Sequence, residues 1–409
     1  MVNETGGGWR AVLRVPAPLL WFLGGSSLSD LGNGFFRLAL PWLVYDLTHS
    51  TAAMGVLAAV QYLPILLNPW AGELCDRYGP RSTLIWSSVV QMVLVLLVPL
   101  GTLTGTLSLP LLYAVTLALA LGSVLTQSAT SVLVKRATPV SARLGINSLV
   151  AMLFNLSWYV SPGLAGFVIA RAGVNAALLV DGASFLCILV PVLFTPRQPK
   201  GLRAPRGDLR AAIRTFLAAK GLPAITAVFG IWNFTWGGVY ALEVYFFRSS
   251  LHLGAAAVGL IGTLGGILPV VLGFLGPWLV RRAALDRLMA LTLATSGIGM
   301  AALGATRGWV GATAAVNVMD GAIAPVLIAH ATLAQETIPD AVYGQVYSIS
   351  WVAAGGVLPL GALLAGLLGA RIGTHWTMAL FGAFTLLGAV LSLGWLRGVR
   401  VGRASDDRA

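Results

Sequence analysis

Long apolar segments recur along this 409-residue chain, each closed by a short polar or glycine-rich break, and that succession limits the fold more than any single residue does. A helix needs about 20 apolar residues to cross the hydrocarbon core of a bilayer, and the sequence offers roughly twelve such segments. They lie near residues 17–45, 51–72, 82–104, 109–134, 145–170, 174–195, 221–247, 255–280, 287–306, 309–333, 342–370 and 373–396. Only 10% of the residues are charged and mean hydropathy is +0.85, where a soluble domain carries roughly a quarter charged residues. The other spanning architecture, a closed barrel, reads as alternating segments of about ten residues. These runs are longer and apolar on every face, so the expected fold is an all-α membrane protein of twelve transmembrane helices. Residues 1–14 are short and polar, and no small-residue cleavage site follows the first apolar segment. That segment is expected to stay in the membrane as a helix.

The net charge of +12 takes its meaning from where the cations sit. Threaded through twelve spans, 21 of the 26 Lys and Arg fall on one side, including seven from Arg197 to Lys220. Arg171, Arg248, Arg307 and Arg371 fall on the other side, and Arg37 lies within the first span. The positive-inside rule then places both termini and the central loop in the cytoplasm of a cell whose inner membrane holds the protein. Basicity of this kind reflects topology. Its expected partners are anionic lipid headgroups rather than nucleic acid. Cys75 and Cys187 do not form a disulfide framework. His49, His252, His330 and His375 lack ligand spacing, so no metal or other cofactor is expected.

A Pro-, Arg- and Gly-rich stretch at 196–220 reads as a cytoplasmic linker, and the chain repeats itself across it. Leu164-Ala165-Gly166, Ala170-Arg171 and Gly173 recur as Leu364-Ala365-Gly366, Ala370-Arg371 and Gly373, and Pro139 and Ser148 as Pro339 and Ser348. The pattern predicts two pseudo-symmetric six-helix bundles, 1–195 and 221–396, followed by a cytoplasmic tail at 397–409. Parallel repeats of this kind place a substrate site near the midplane at the repeat interface and work by alternating access.

Between the second and third spans stands a charged turn, Gly72-Glu73-Leu74-Cys75-Asp76-Arg77-Tyr78-Gly79-Pro80-Arg81, with the pattern G-x-L-x-D-R-x-G-x-R. Its position places Asp76 between two helices, where a carboxylate caps a helix or opposes its dipole. The turn resembles the signature loop of the major facilitator superfamily of secondary transporters. That resemblance implies a further role for Gly72, Asp76, Arg77, Gly79 and Arg81. They would form a conformational latch against helix ends of the other half, near Tyr343 and Gly344, bonded in one access state and released in the other. A degenerate counterpart follows span eight, where Gly276 and Arg281 are kept but Val280 replaces the aspartate. Pro80 replaces a common basic residue and Glu73 adds an acid, which alters the latch's charge balance.

Two further stretches narrow the resemblance. Leu40-Pro41-Trp42-Leu43-Val44-Tyr45-Asp46-Leu47-Thr48, with Asp181-Gly182-Ala183-Ser184-Phe185, looks like the branch that includes bacterial macrolide and siderophore exporters. Ser161-Pro162-Gly163 followed by Gly166 is similar to the span-five motif of antiporters, which implies that Pro162, Gly163 and Gly166 pack two helices tightly. Span four lacks the membrane arginine of many drug and proton antiporters, so any coupling residue lies elsewhere.

Ionisable residues inside a membrane are costly and mark functional sites by default. Asp30, near the middle of span one, is the first candidate for proton coupling, because a low dielectric penalises its charged form; the alternative is a permanently bonded structural acid. Asp320 in span ten is the second candidate, with Asn317 on the same face. Asp181 and Glu243 rank lower, since each lies near enough to the outer surface to be hydrated or paired with Arg171 or Arg248. Arg37 lies two turns from Asp30, about 10 Å along the axis. It either pairs with an acid, holds a substrate anion, or snorkels to the outer interface. Asn33, Asn155, Trp158, Asn233, Trp236, Tyr240 and Asn317 are candidate cavity residues. Trp232, Trp236 and Tyr240 form one stripe, either a cavity wall or helix packing. An aromatic wall with few polar anchors suits an amphipathic solute better than a sugar.

The expected function is proton-driven export of hydrophobic or amphipathic small molecules by a monomer, with no enzymatic activity. A metabolite uniporter or importer of the same fold and a non-transporting membrane sensor are the alternatives. No P-loop of the form G-x-x-x-x-G-K-[ST] occurs in the sequence, which removes an ATP-driven reading.

Overall fold

The computed structural model describes residues 17–139, 142–195, 209–321, 323–339 and 342–399, and among these every regular element is a helix. Residues 196–208 of the predicted linker and 400–409 of the predicted tail lie outside the described residues. The first span is α1, Ala17–Thr48, followed by α2, Thr51–Tyr62, a 3-10 turn at Leu63–Leu67, and α3, Asn68–Tyr78. Next come α4 at Pro80–Thr104, α5 at Leu109–Ala137 and α6 at Arg143–Phe194. After the linker region follow α7, Leu209–Ala218; α8, Leu222–Ser249; α9, Ala255–Leu264; and α10, Ile267–Arg282. The chain finishes with α11, Leu285–Ala305; α12, Trp309–Gly321; α13, Ile323–Thr337; α14, Tyr343–Gly355; α15, Leu358–Ile372; and α16, Thr374–Trp395.

Among the described residues eight helices are long and apolar enough to cross a bilayer, or nine if the bent pair α7 and α8 is one span. The 52-residue α6 holds two of the predicted spans, because Gly173 breaks it with φ 83° and ψ 172°. That region of backbone space is open essentially to glycine alone. Gly373, at the corner between α15 and α16, has φ 83° and ψ 160°. The sequence repeat is thus also a repeat of backbone geometry. Just before α6 and α14, Ala142 N donates to Pro139 O and Val342 N to Pro339 O, again with the same offset.

Several spans expected to be continuous are broken. Span two is interrupted at Leu63–Leu67, span eight at Gly265 and Gly266, and span eleven at Gly356 and Val357. Breaks at membrane depth are tolerated where protein surrounds them. A Cβ on Gly355 would stand 2.7 Å from Ile65 Cδ1, and one on Gly356 2.9 Å from a Leu66 methyl. Two of the breaks therefore pack against each other.

The described residues form two compact units, 17–43 with 67–195, and 44–66 with 209–399. The turn from late α1 into α2 comes early in the chain but packs with the second unit. There Arg248 Nη1 meets Asp46 Oδ1 at 2.6 Å, and the Arg248 guanidinium lies 4.2 Å from the centre of the Tyr45 ring. Helices α2 and α15 touch backbone to backbone: a Cβ on Gly55 would lie 2.8 Å from Gly366 Cα, and Thr51 Oγ1 donates to Gly366 O at 3.1 Å.

Candidate functional site

Each unit carries one buried polar cluster. In the first unit, glycines let α1 approach α6 closely: Cβ atoms on Gly25, Gly32 or Gly34 would overlap Cys187, Ser184 and Ser161 respectively. Those contacts set Asp30, Asn33 and Arg37 of α1 against both limbs of α6. The Arg37 guanidinium lies 3.7 Å from the centre of the Trp158 ring, and its Nη2 donates to the buried Ser161 hydroxyl at 3.2 Å. Asn33 bonds Asp30 through its side chain, and Arg37 is within electrostatic reach of Asp30 and Asp181 alike. This cation therefore serves two acids rather than snorkelling to the surface.

Asp181 departs from the sequence expectation. It is 2% exposed rather than hydrated, its Oδ1 has no hydrogen-bond partner among the described residues, and its charged neighbour is Arg37 rather than Arg171. The close approach of α1 at Gly32, whose Cβ would lie 3.3 Å from Asp181 Oδ1, is what brings Asp181 to α1. Asn155 is exposed, and Trp158 is half-buried against Arg37. Gly166 is buried, and glycines along α1 make further close approaches to α6.

In the second unit the stripe on α8 faces two acids. Trp236 Nε1 donates to Asp320 Oδ1 of α12 at 2.8 Å. Glu243 lies two turns beyond Trp236 on the same face and feels the Asp320 carboxylate electrostatically; its Oε1 is buried with no hydrogen-bond partner among the described residues. Glu243 is half-buried overall, and Arg248 pairs with Asp46 instead. Tyr62 stands with its ring centre 6.4 Å from those of both Trp236 and Tyr240. Three rings thus gather where Trp236 holds Asp320.

These rings belong to a longer run. Tyr240, Trp236, Trp232 and Phe229 stack in turn at 4.8, 5.4 and 6.3 Å. Phe229 then meets Trp351 of α14 edge-on at 5.5 Å, and Trp351, Tyr347 and Tyr343 carry the series to the start of α14 at 6.2 and 5.3 Å. His330 of α13 sits among Phe229, Tyr347 and Trp351, bonded to Thr226 through Nε2 and with its buried Nδ1 unpartnered among the described residues. Sequence reasoning gave His330 no role. Tyr343, Tyr347 and Trp351 at i, i+4 and i+8 were the available signal.

One predicted cavity residue, Asn317, has other work. Asn317 accepts from Leu268 N at 2.9 Å and donates to Leu264 O at 2.8 Å. It supplies the backbone bonds lost where α9 gives way to α10, so it braces a broken span rather than lining a cavity with Asp320. Asn233 is buried, 6% exposed, and its Nδ2 has no partner among the described residues.

At the charged turn, Asp76 lies in the last turn of α3 and Gly79, with φ 84°, caps both α3 and α4. Asp76 is therefore not the N-cap of the third span, and its side chain lies outside the described atoms. Gly79 takes the capping position because the chain reverses there with positive φ, which glycine alone adopts without cost. Arg81 Nη2 donates to Leu193 O at 2.6 Å, tying the turn to the end of α6. Arg77 is exposed with its guanidinium 5.4 Å from the Tyr78 ring centre.

A multi-pass helical protein with broken spans and buried, unevenly paired acids has the features of a secondary transporter. The sequence matches the Major Facilitator Superfamily profile over residues 22–358, and the chain belongs to that family. It is 24% identical over 88% of its length to an uncharacterized MFS-type transporter, y4rN, of Sinorhizobium fredii, covering 90% of that protein. It is 26% identical over 91% of its length to the multidrug efflux pump Tap of Mycolicibacterium fortuitum, covering 94% of it, and 27% identical over 89% to Tap of Mycobacterium tuberculosis, covering 89%. Among solved structures, a bacterial homologue of the iron transporter ferroportin in an inward-facing state matches with TM-score 0.73 at 17% identity, over 92% of this chain and 98% of that one. At that identity the likeness shows the fold alone.

Proposed function

We propose that the protein exports amphipathic small molecules with a flat aromatic part and a positive charge, by exchange for protons across the inner membrane, with both termini in the cytoplasm. The observation that carries this reading is the carboxylate pair Asp320 and Glu243 set against Trp236 and Tyr240. An aromatic face attracts a cation through its quadrupole, and two acids at its end supply countercharge. The same acids bind either protons or cargo. A proton arriving at Asp320 weakens the hold on a cation, and a cation displaces the proton, which is the competition that exchange requires. Similarity to Tap pumps, which are described as multidrug efflux pumps, supports the direction and the breadth of cargo. In this reading the protein works as a monomer, and the turn at Gly72, Asp76, Arg77, Gly79 and Arg81 acts on access rather than on cargo choice.

The test uses the purified protein in vesicles with an imposed pH gradient and a fluorescent planar cation such as ethidium. Accumulation that follows the gradient and collapses with a protonophore is the expected result. Gradient-independent equilibration would point instead to a uniporter.

A further inference from the structure

A groove of about 460 Å³ lies on the second unit, away from its carboxylate pair, and it is almost wholly apolar. Phe216 of α7 stands at one end, Pro223 and Ala227 of α8 line its floor, and Phe234, Val357 and Phe384 close the other end. From Pro223 to Phe234 the groove follows α8 for about 16 Å at 1.5 Å per residue. Among the described residues the one hydroxyl in the wall is that of Thr226, and it is bonded to His330. A slot of this shape along a spanning helix matches a single hydrocarbon chain.

The groove's end at Phe216 carries a different chemistry. Helix α7 meets α8 at 94° and packs on α14 and α8. Ala212 and Phe216 are buried, whereas Leu209, Ile213 and Leu217, spaced at i, i+4 and i+8, are 59%, 40% and 64% exposed. Exposed Arg210 and Arg214 flank that apolar edge, and exposed Lys220 follows three residues before Pro223. A short helix perpendicular to a span, with leucines on one edge and cations beside them, lies in the headgroup plane and attracts anionic lipid.

We propose that the groove holds an acyl chain of an anionic phospholipid whose headgroup is bound by Arg214 and Lys220. The lipid joins α7 to α8 and α14 at the cytoplasmic surface, and the site is separate from the carboxylate pair and stands without the export reading.

The experiment incubates the detergent-purified, full-length protein with an equimolar mixture of phosphatidylglycerol and phosphatidylcholine of identical chains, and counts retained lipids by native mass spectrometry. Wild type is expected to retain phosphatidylglycerol several-fold over phosphatidylcholine. Arg214→Gln with Lys220→Gln, both surface changes, is expected to bring that ratio to parity. Gly230→Leu is expected to reduce retention of both lipids: a Cβ there meets nothing closer than 3.9 Å, so the side chain fits and fills the slot. Equal retention of the two lipids by wild type, or an unchanged ratio in the double variant, would overturn the proposal.

Discussion

Trp236 Nε1 donates to Asp320 Oδ1 at 2.8 Å, so the same indole that stacks between Trp232 and Tyr240 also orients a membrane-buried acid. Ring and carboxylate are thereby held as one unit. Trp236→Phe keeps the ring and removes the donor, and a hydrogen bond to a charged group contributes roughly 1.5–3 kcal/mol. Cation binding, measured as a fluorescence isotherm, is expected to weaken about ten-fold or more on that scale. Unchanged affinity would mean that the bond does not position Asp320 for cargo.

Asn317 gives a contrasting expectation. Asn317→Leu leaves Leu264 O and Leu268 N without their bonds, at about 1–3 kcal/mol for each buried group left unsatisfied. The unfolding midpoint should fall while the order of preference among cargoes stays the same. Altered preference with unchanged stability would make Asn317 a cavity residue after all.

The contact between Gly55 and Gly366 leaves no room for a side chain, since a Cβ on either would lie 2.8 Å from the other's Cα. Gly55→Val and Gly366→Val are each expected to lower the unfolding midpoint, because overpacking of this kind costs about 1–3 kcal/mol. Wild-type unfolding midpoints in both variants would show that α2 and α15 do not rely on this contact.

Arg37 is within electrostatic reach of Asp30 and of the buried Asp181, so removing it takes away the cation that opposes their charge. Arg37→Ala should destabilise the protein strongly, and adding Asp181→Ala should recover part of the loss, read as unfolding midpoints in one detergent. Simple addition of the two single losses would mean that Arg37 and Asp181 are not coupled.

Much of this arrangement was legible in the sequence, for physical reasons that differ from residue to residue. Hydropathy alone marks the spans, since a bilayer admits few alternatives. The recurrence of Gly173 as Gly373 announced a corner, because both sites hold a backbone conformation that other residues avoid. The acids Asp320 and Glu243 were visible as charges in apolar runs, but their proximity depends on α8 reaching α12, as the Trp236–Asp320 bond shows. Asn317 and Asp181 take roles that spacing does not reveal: Asn317 bonds backbone groups freed by the break at Gly265, and Asp181 meets α1 because Gly32 lets the two helices approach. Asp76 was placed one turn too late because α3 continues to Tyr78. The ring series through Phe229 and Trp351 joins helices far apart in sequence, and no local pattern records that.

Proton movement at Asp320 is tested most directly by counting protons. Proteoliposomes containing wild type or Asp320→Asn, with a pH-sensitive dye sealed in the lumen, are given a planar aromatic cation in the bath with no initial pH gradient. Wild type is expected to show luminal alkalinisation as cargo enters and protons leave, whereas Asp320→Asn shows none. Alkalinisation by Asp320→Asn at the wild-type rate would contradict the account.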